Sequence, residues 1–249
     1  MPVLRDLAPL AILQLALLIA TMVLGPGNFA DVRVQLTWAG FLTLGWTIAP
    51  TWMGGHASMI RRYLAAMITS IALHGLLVMI GCLTGFGIQT YIVLWVIATL
   101  VVLVHRNGTL KVHPQAGFRL PRQHLLLIAT LIVFAVCVYR TPRSNDIYQF
   151  MLQQQDMLAN GSLQVSSIGM SAMEIDQPMP RWKAHYWHLL PCLIAHTSGV
   201  AVDQVLLRYA TIPVAFSVLL CLIEIVRSLA GRRVAYPIAL IAILGPVLY

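Results

Sequence analysis

Two uncharged stretches lie close together in the first half of the chain. Residues 63–83 read YLAAMITSIALHGLLVMIGCL, and residues 88–104 read IQTYIVLWVIATLVVLV. A helix needs about 20 mainly apolar residues to cross the hydrocarbon core of a bilayer. Both stretches come close to that requirement and contain no charged residue. We therefore predict that each forms a membrane-spanning helix.

The composition of the whole chain points to the same class of protein. The chain has 249 residues, of which 59% are hydrophobic and 10% are charged. A soluble domain carries about 25% charged residues, so this chain cannot cover a water-facing surface. A soluble globular enzyme and an intrinsically disordered chain are therefore excluded. The sequence predicts an all-α transmembrane bundle with seven spans, at 7–25, 34–53, 63–83, 88–104, 124–139, 204–226 and 234–249.

The distribution of basic residues predicts the orientation. Basic residues accumulate in cytoplasmic loops, which also accounts for the net charge of +8 without a nucleic-acid partner. A cytoplasmic N-terminus places 10 of the 16 basic residues inside: Arg5, Arg61, Arg62, Arg106, Lys111, Arg119, Arg122, Arg227, Arg232 and Arg233. Aromatic residues near the span ends suggest an interfacial belt: Trp38, Trp46, Trp52, Tyr63, Tyr91 and Tyr139.

The outer loop, residues 140–203, contains the long polar segment of the sequence. Two helices are predicted in it, each lying on the membrane surface. The first is capped by Ser144 or Asn145 and ends at Asn160 and Gly161. Its apolar face is formed by Ile147, Phe150, Met151, Met157 and Leu158, and its polar face by Gln149, Gln153, Asp156 and Asn160. The second surface helix covers 182–198 and contains Pro191.

Four side chains of the second helix share one stripe. His185, His188, Cys192 and His196 are spaced by three, four and four residues. Such a stripe is able to bind zinc or another transition metal. The alternative, which we favour, is that the stripe faces a polar cavity or the headgroup layer, because Pro191 distorts the helix.

Single residues elsewhere support further predictions. His74 lies in the middle of a span and is expected to hydrogen-bond to another helix. Glu224 is expected inside the bundle together with Arg227 and Arg208, which lie on the same predicted helix. The glycines at 81, 85 and 87 are interpreted as a loop between spans. The cysteines are scattered through apolar stretches and are interpreted as small core residues: Cys82, Cys137, Cys192 and Cys221.

Several short motifs of the second half occur in a recognisable order. Residues 145–150 read NDIYQF, 158–163 read LANGSL, and 181–190 read RWKAHYWHLL. They are followed by LLRY at 206–209, VRSLAGRR at 226–233 and GPVLY at 245–249. In order, spacing and sidedness this series resembles the GT-C glycosyltransferases, polytopic enzymes that use polyprenyl-phosphate sugars. The resemblance covers residues 123–249 as the start of a GT-C core. Residues 1–122, with four spans, form an N-terminal region that resembles no family.

The resemblance implies roles for particular residues. Asp146 corresponds to the acid that opens the surface helix, and it would act as a base or metal ligand. Positive charge has to stabilise the leaving phosphate. Candidates for this phosphate and substrate binding are Arg208, Lys183, Arg181, His185 and His188.

This sequence departs from the family pattern at one point. Many members carry two adjacent acids, whereas here the neighbour of Asp146 is Asn145. Glu174 or Asp176 would have to supply a second acid. The sequence therefore does not decide whether the protein requires a divalent cation. It is also compatible with a non-catalytic member of the family.

The resemblance also implies a setting and leaves two rivals. It suggests a bacterial plasma-membrane protein that transfers a sugar on the outer face and is the first part of a longer chain. One rival is a non-catalytic membrane subunit or scaffold of this architecture, and the other is a transporter. A transporter is expected to place polar residues near the middle of the membrane, whereas here they gather in the outer loop.

Overall fold

The structure is a computed structural model that describes residues 10–11, 29–53, 59–109, 147–164, 186–209 and 211–231. These residues form helices and short connections, and no strand occurs among them. The main helices are α1 (Phe29–Ile48), α2 (Met59–Thr84), α3 (Ile88–Thr109), α4 (Ile147–Asn160), α5 (Tyr186–Ser198) and α6 (Thr211–Ala230). The prediction of an all-α fold is therefore confirmed over this part of the chain.

Two of the helices are long and apolar enough to cross a membrane. They are Ile60–Thr84 in α2 and Ile88–Arg106 in α3, and they coincide with the two stretches that the sequence analysis starts from. Of the most apolar 18 residues in each, 33% and 17% are buried. Both helices therefore present large apolar surfaces to their surroundings, as helices that face lipid do.

The structure does not show seven spans. The predicted spans 7–25, 124–139 and 234–249 lie outside the described residues, except for residues 10–11. The predicted span 34–53 corresponds to α1, which begins earlier, at Phe29, and is followed by the short helix Pro50–Met53. The predicted span 204–226 is not one continuous α-helix, because a π-helical turn at Val205–Tyr209 precedes the start of α6.

Helix α1 packs most extensively on α2 and also contacts α3 and α5. The hydroxyl of Ser70 on α2 accepts a hydrogen bond from the backbone N–H of Gly45 at 3.2 Å and donates one to the carbonyl of Phe41 at 3.1 Å. A Cβ atom on Gly45 would overlap the carbonyl oxygen of Ala66. Small residues therefore bring the two backbones together, as they do between membrane helices.

Specific contacts join the helices at both ends of the bundle. At the end predicted to face outward, Gly161 accepts a backbone hydrogen bond from Ile88 at 2.9 Å. At the opposite end, Arg106 donates to the carbonyl of Thr47, and Arg61 pairs with Glu224. The orientation of the two ends relative to the membrane stays a prediction.

The aromatic residues differ from the predicted belt. Trp38, Trp46, Tyr63 and Tyr91 are at most 3% exposed, so they pack inside the protein and do not face a lipid headgroup layer. The ring of Phe41 stacks on Trp38 and Trp95, with centroids 5.4 and 5.0 Å apart. Their position near span ends reflects helix-to-helix packing, which the sequence periodicity does not distinguish from an interfacial location.

Helix α5 also differs from its predicted setting. Its existence is confirmed, but residues 189–195 are all buried. A helix that lies on a membrane surface keeps one face exposed, whereas this one is enclosed over two turns. Its neighbours include α1, α2 and α4, so α5 is a packed element of the bundle.

The single-residue predictions have mixed outcomes. His74 on α2 and Tyr91 on α3 lie 2.7 Å apart, from the ring Nδ1 to the phenol oxygen, which confirms the predicted bond between helices. Gly81 belongs to α2, so its assignment to a loop is wrong, whereas Gly85 does lie in the turn. Cys192 is buried as predicted, Cys221 is exposed contrary to prediction, and Cys137 lies outside the described residues.

Candidate functional site

Most of the predicted site residues lie outside the described part of the chain. These are Asp146, Glu174, Asp176, Arg181, Lys183 and His185. For His188 in α5 and Arg208 in the π-helical turn the backbone alone is described. The structure describes α4, α5 and the π-helical turn. Asp146 and His185 directly precede α4 and α5, and Arg208 lies in the turn.

The helices that carry the predicted site contact one another. Helix α4, which begins directly after Asp146, packs on α5 and on the segment Val202–Tyr209. The thiol of Cys192 on α5 lies 3.6 Å from the backbone carbonyl of Gln154 on α4. The three segments singled out by the sequence motifs therefore form one cluster, which we call the outer-loop cluster.

Helices α4 and α5 run toward the same end of the bundle. The residue after α4, Gly161, is bonded to Ile88, and the residue after α5, Gly199, lies beside Arg33 at the start of α1. The contact between Gln154 and Cys192 lies about two turns before each of these ends. The first residues of the two helices therefore lie toward the same side of the outer-loop cluster.

A π-helical turn carries Arg208. The turn covers Val205–Tyr209, and both of these terminal residues are at most 2% exposed. π-Helical turns are rare and are found frequently at functional sites.

Two amides in α4 are buried, which the sequence analysis missed. Gln153 and Gln154 are 2% and 0% exposed, and the side-chain N and O of both have no hydrogen-bond partner among the described residues. The assignment of Gln153 to the exposed polar face is wrong, because it shares the buried face with Met157, four residues later. A buried amide without a partner costs about 1–3 kcal/mol, so these groups require a polar partner.

Glu224 joins two helices at the opposite end of the protein. Its side chain is 14% exposed, and it accepts hydrogen bonds from Arg227 at 2.7 Å and from Arg61 of α2. The prediction that it lies inside the bundle with Arg227 is therefore confirmed. Its predicted association with Arg208 concerns a side chain that the structure does not describe.

The histidine and cysteine stripe does not lie in one environment. Cys192 is buried and His196 is exposed, although they are one turn apart. Burial raises the pKa of the Cys192 thiol, so the thiolate that a metal ligand requires is disfavoured. Over the ranges with described side chains, no three of His, Cys, Asp and Glu are grouped to hold a metal ion. His185 and His188 stay untested.

Comparison of the chain with protein-family models, with curated proteins and with solved structures finds no match in any of the three.

Proposed function

We propose that this protein is an integral membrane glycosyltransferase of the GT-C type. It would move a sugar from a polyprenyl-phosphate donor to an acceptor on the outer face of the membrane. The observation that carries the proposal is the outer-loop cluster. The motifs that resemble GT-C enzymes mark three consecutive segments, α4, α5 and Val202–Tyr209, and these three segments pack together.

Asp146 has the central role in the proposed reaction. It directly precedes α4 and acts as the base that receives the proton of the acceptor hydroxyl, or as the ligand of a divalent cation. The next residue, Ile147, is the first residue of α4, which packs against α5. His185 directly precedes α5. The common direction of α4 and α5 supports a site to which both residues contribute.

Cations bind the phosphate in this proposal. Arg208, Lys183 and Arg181 stabilise the charge that develops on the leaving lipid phosphate. Arg208 is supported further by its place in a π-helical turn whose first and last residues, Val205 and Tyr209, are buried. His185 and His188 contact the substrate, and Glu174 or Asp176 supplies the second acid.

The buried amides support a polar ligand near α4. Gln153 lies six residues after Ile147, the first residue of α4, which is about two helical turns along the helix axis. Amide groups donate and accept hydrogen bonds, as the hydroxyl groups of a sugar require. A partner of this kind would remove the cost of burying Gln153 and Gln154 without one.

Two other functions remain as alternatives. A non-catalytic subunit or scaffold would share the helical packing, and the absence of a second acid beside Asp146 favours it. A transporter would place polar groups near the middle of the membrane. His74 is such a group, although it contacts Tyr91.

The test is sugar transfer in membranes that contain the protein expressed from its own gene. The donors are polyprenyl-phosphate sugars with a radiolabelled sugar. Asp146→Asn is expected to lower transfer by about 100-fold or more, the usual loss when a general base is removed. The matched control is Asp156→Asn, since Asp156 is an acid on the same helix that bonds to Asn160. Unchanged transfer by Asp146→Asn would exclude the proposed base.

A further inference from the structure

Helices α1, α3 and α5 enclose an apolar groove of about 420 Å³. This volume falls in the range of about 300–1,000 Å³ found for small-ligand pockets. Phe41, Tyr91 and Trp95 line it with aromatic rings, and each of them is at most 8% exposed. The wall on α5 includes Leu190 and Leu193.

The threonines of the groove do not offer free hydroxyl groups. Thr37, Thr99 and Thr197 line it, and each donates its hydroxyl to the carbonyl four residues earlier on its own helix, at 3.0, 2.8 and 2.7 Å. The phenol of Tyr91 is engaged with His74. The groove therefore favours a hydrocarbon chain over a hydrogen-bonding ligand.

The groove opens on the exposed side of α3. Leu36, Val96 and Leu100 line the groove and are 65%, 49% and 55% exposed. They are continuous with the exposed apolar face of α3, which includes Ile97 and Val101. Because α3 is long and apolar enough to cross a membrane, this mouth is suited to contact with bilayer hydrocarbon.

A cation lies one turn beyond one end of the groove. Arg33 precedes Leu36 and Thr37 by three and four residues, so it shares their face of α1. Its side chain is exposed, and its Nη1 atom lies 3.2 Å from the position of a Cβ on Gly199. Within the described residues Arg33 has no salt bridge, so its charge can bind the phosphate of a lipid.

We propose that this groove binds one acyl chain of an anionic bilayer phospholipid, with the phosphate at Arg33. The occupant is a phospholipid and not the polyprenyl donor of the proposed reaction. Two of its three walls, α1 and α3, belong to the N-terminal region outside the GT-C resemblance. The third wall, α5, also belongs to the outer-loop cluster, but lipid binding and sugar transfer are measured in separate experiments, so each proposal can fail without the other.

Gly40 offers a direct way to close the groove. It lines the groove, and a Cβ atom added to it would meet nothing within 4 Å. Gly40→Leu therefore places a side chain in the space of the acyl chain without a backbone clash. Thr197→Phe narrows the groove from the opposite wall, and Ala98→Leu adds similar bulk to an exposed position of α3 that does not line it.

The experiment is native mass spectrometry of the delipidated protein in detergent, titrated with phosphatidylglycerol or phosphatidylcholine. Wild type and Ala98→Leu are expected to bind one phosphatidylglycerol in preference to phosphatidylcholine. Gly40→Leu and Thr197→Phe should bind it about tenfold more weakly, because each excluded methylene group contributes several-fold to affinity. Arg33→Gln should lose the preference for the anionic lipid, and Arg33→Lys should retain it.

Three results would overturn the proposal. The first is the absence of saturable phosphatidylglycerol binding by the wild-type protein. This result does not depend on the correct folding of any variant. The second is equal binding by wild type and Gly40→Leu. The third is displacement of phosphatidylglycerol by an equimolar polyprenyl phosphate, which would assign the groove to the donor. Sugar transfer is measured separately and does not enter this test.

Discussion

At the scale of single residues, two glycines of α1 have opposite surroundings. A Cβ on Gly45 would overlap the carbonyl of Ala66, whereas a Cβ on Gly40 would meet open space. The sequence does not distinguish them, since both lie in the same apolar stretch. The difference follows from the partner helix that each glycine faces, which is a property of the tertiary packing.

Gly45→Ala is expected to destabilise the protein by about 1–3 kcal/mol, the usual cost of adding a methyl group to a filled interior. Gly40→Ala is the matched control in the same helix and should leave stability unchanged or raise it slightly, because alanine favours the helix. The measurement is the thermal unfolding midpoint of both variants in the same detergent. Equal midpoints would contradict the close approach of α1 and α2.

The contact between His74 and Tyr91 is a second feature of this scale. The position of His74 predicted a hydrogen bond to another helix, but it did not identify Tyr91 as the partner. In a double-mutant cycle with His74→Phe and Tyr91→Phe, we expect a coupling energy of about 0.6 kcal/mol and at most about 1.7, as for other hydrogen bonds between membrane helices. Unfolding in detergent and denaturant provides the four free energies. A coupling energy of zero would mean that the two side chains do not interact.

At the scale of helices, the sequence predicted the positions of α4 and α5 but not their burial. Periodicity identifies an apolar face, yet the buried face of α4 includes the polar pair Gln153 and Gln154. The hydrophobic pattern of α5 is equally compatible with a surface helix and an enclosed one. Burial depends on the neighbours that the chain brings together, and single-helix patterns carry no information about them.

The enclosure of α5 predicts the reactivity of Cys192. Burial raises the pKa of this thiol, so the reactive thiolate appears only at a pH above the ordinary range for cysteine. A variant that retains Cys192 as its single cysteine should therefore resist modification by N-ethylmaleimide until the protein is unfolded. The assay covers a pH range of about 7 to 9, which includes the pKa of an ordinary thiol.

The control for this experiment introduces a thiol at an exposed position of the neighbouring helix. Asn160→Cys in a background without other cysteines should react rapidly over the same pH range, because residue 160 is exposed. Fast labelling of folded protein at Cys192 would show that α5 is not enclosed.

Helix α6 is joined to α2 through Glu224. Glu224→Gln removes the charge that pairs with Arg61 and Arg227, so two cations remain close together and α6 should dock less firmly. We expect a lower unfolding midpoint, whereas Ser228→Ala, at an exposed position of the same helix, should not change it. A smaller effect of Glu224→Gln at high salt than at low salt would confirm an electrostatic origin.

At the scale of the whole molecule, specific contacts join the helices at both ends of the bundle. Gly161 is hydrogen-bonded to Ile88 at one end, and Arg61 pairs with Glu224 at the other. The orientation that the charge distribution indicates stays a prediction. The number of continuous spans is harder to predict from the sequence. Hydropathy does not reveal interruptions of an α-helix, such as the π-helical turn at Val205–Tyr209. The site residues in the outer loop were chosen from motifs, and the structure describes their supporting helices.

The orientation itself predicts an accessibility pattern. In intact cells, a membrane-impermeant maleimide should label Asn160→Cys and should not label Arg106→Cys until the membrane is permeabilised. Both positions lie at helix ends, on α4 and α3 respectively, so they report opposite ends of the bundle. The reverse pattern would place the outer-loop cluster in the cytoplasm and remove the proposed access to an outer-face donor.

The backbone bond from Ile88 to Gly161 has a mechanical consequence. It joins the C-terminal end of α4 to the connection between α2 and α3. The two backbones lie close together, since a Cβ atom on Gly87 would overlap the carbonyl oxygen of Gly161. A ligand that shifts α4 is therefore expected to displace the two long apolar helices, α2 and α3, as well. A spectroscopic probe on the 85–87 turn would then report occupancy of a site that lies along α4.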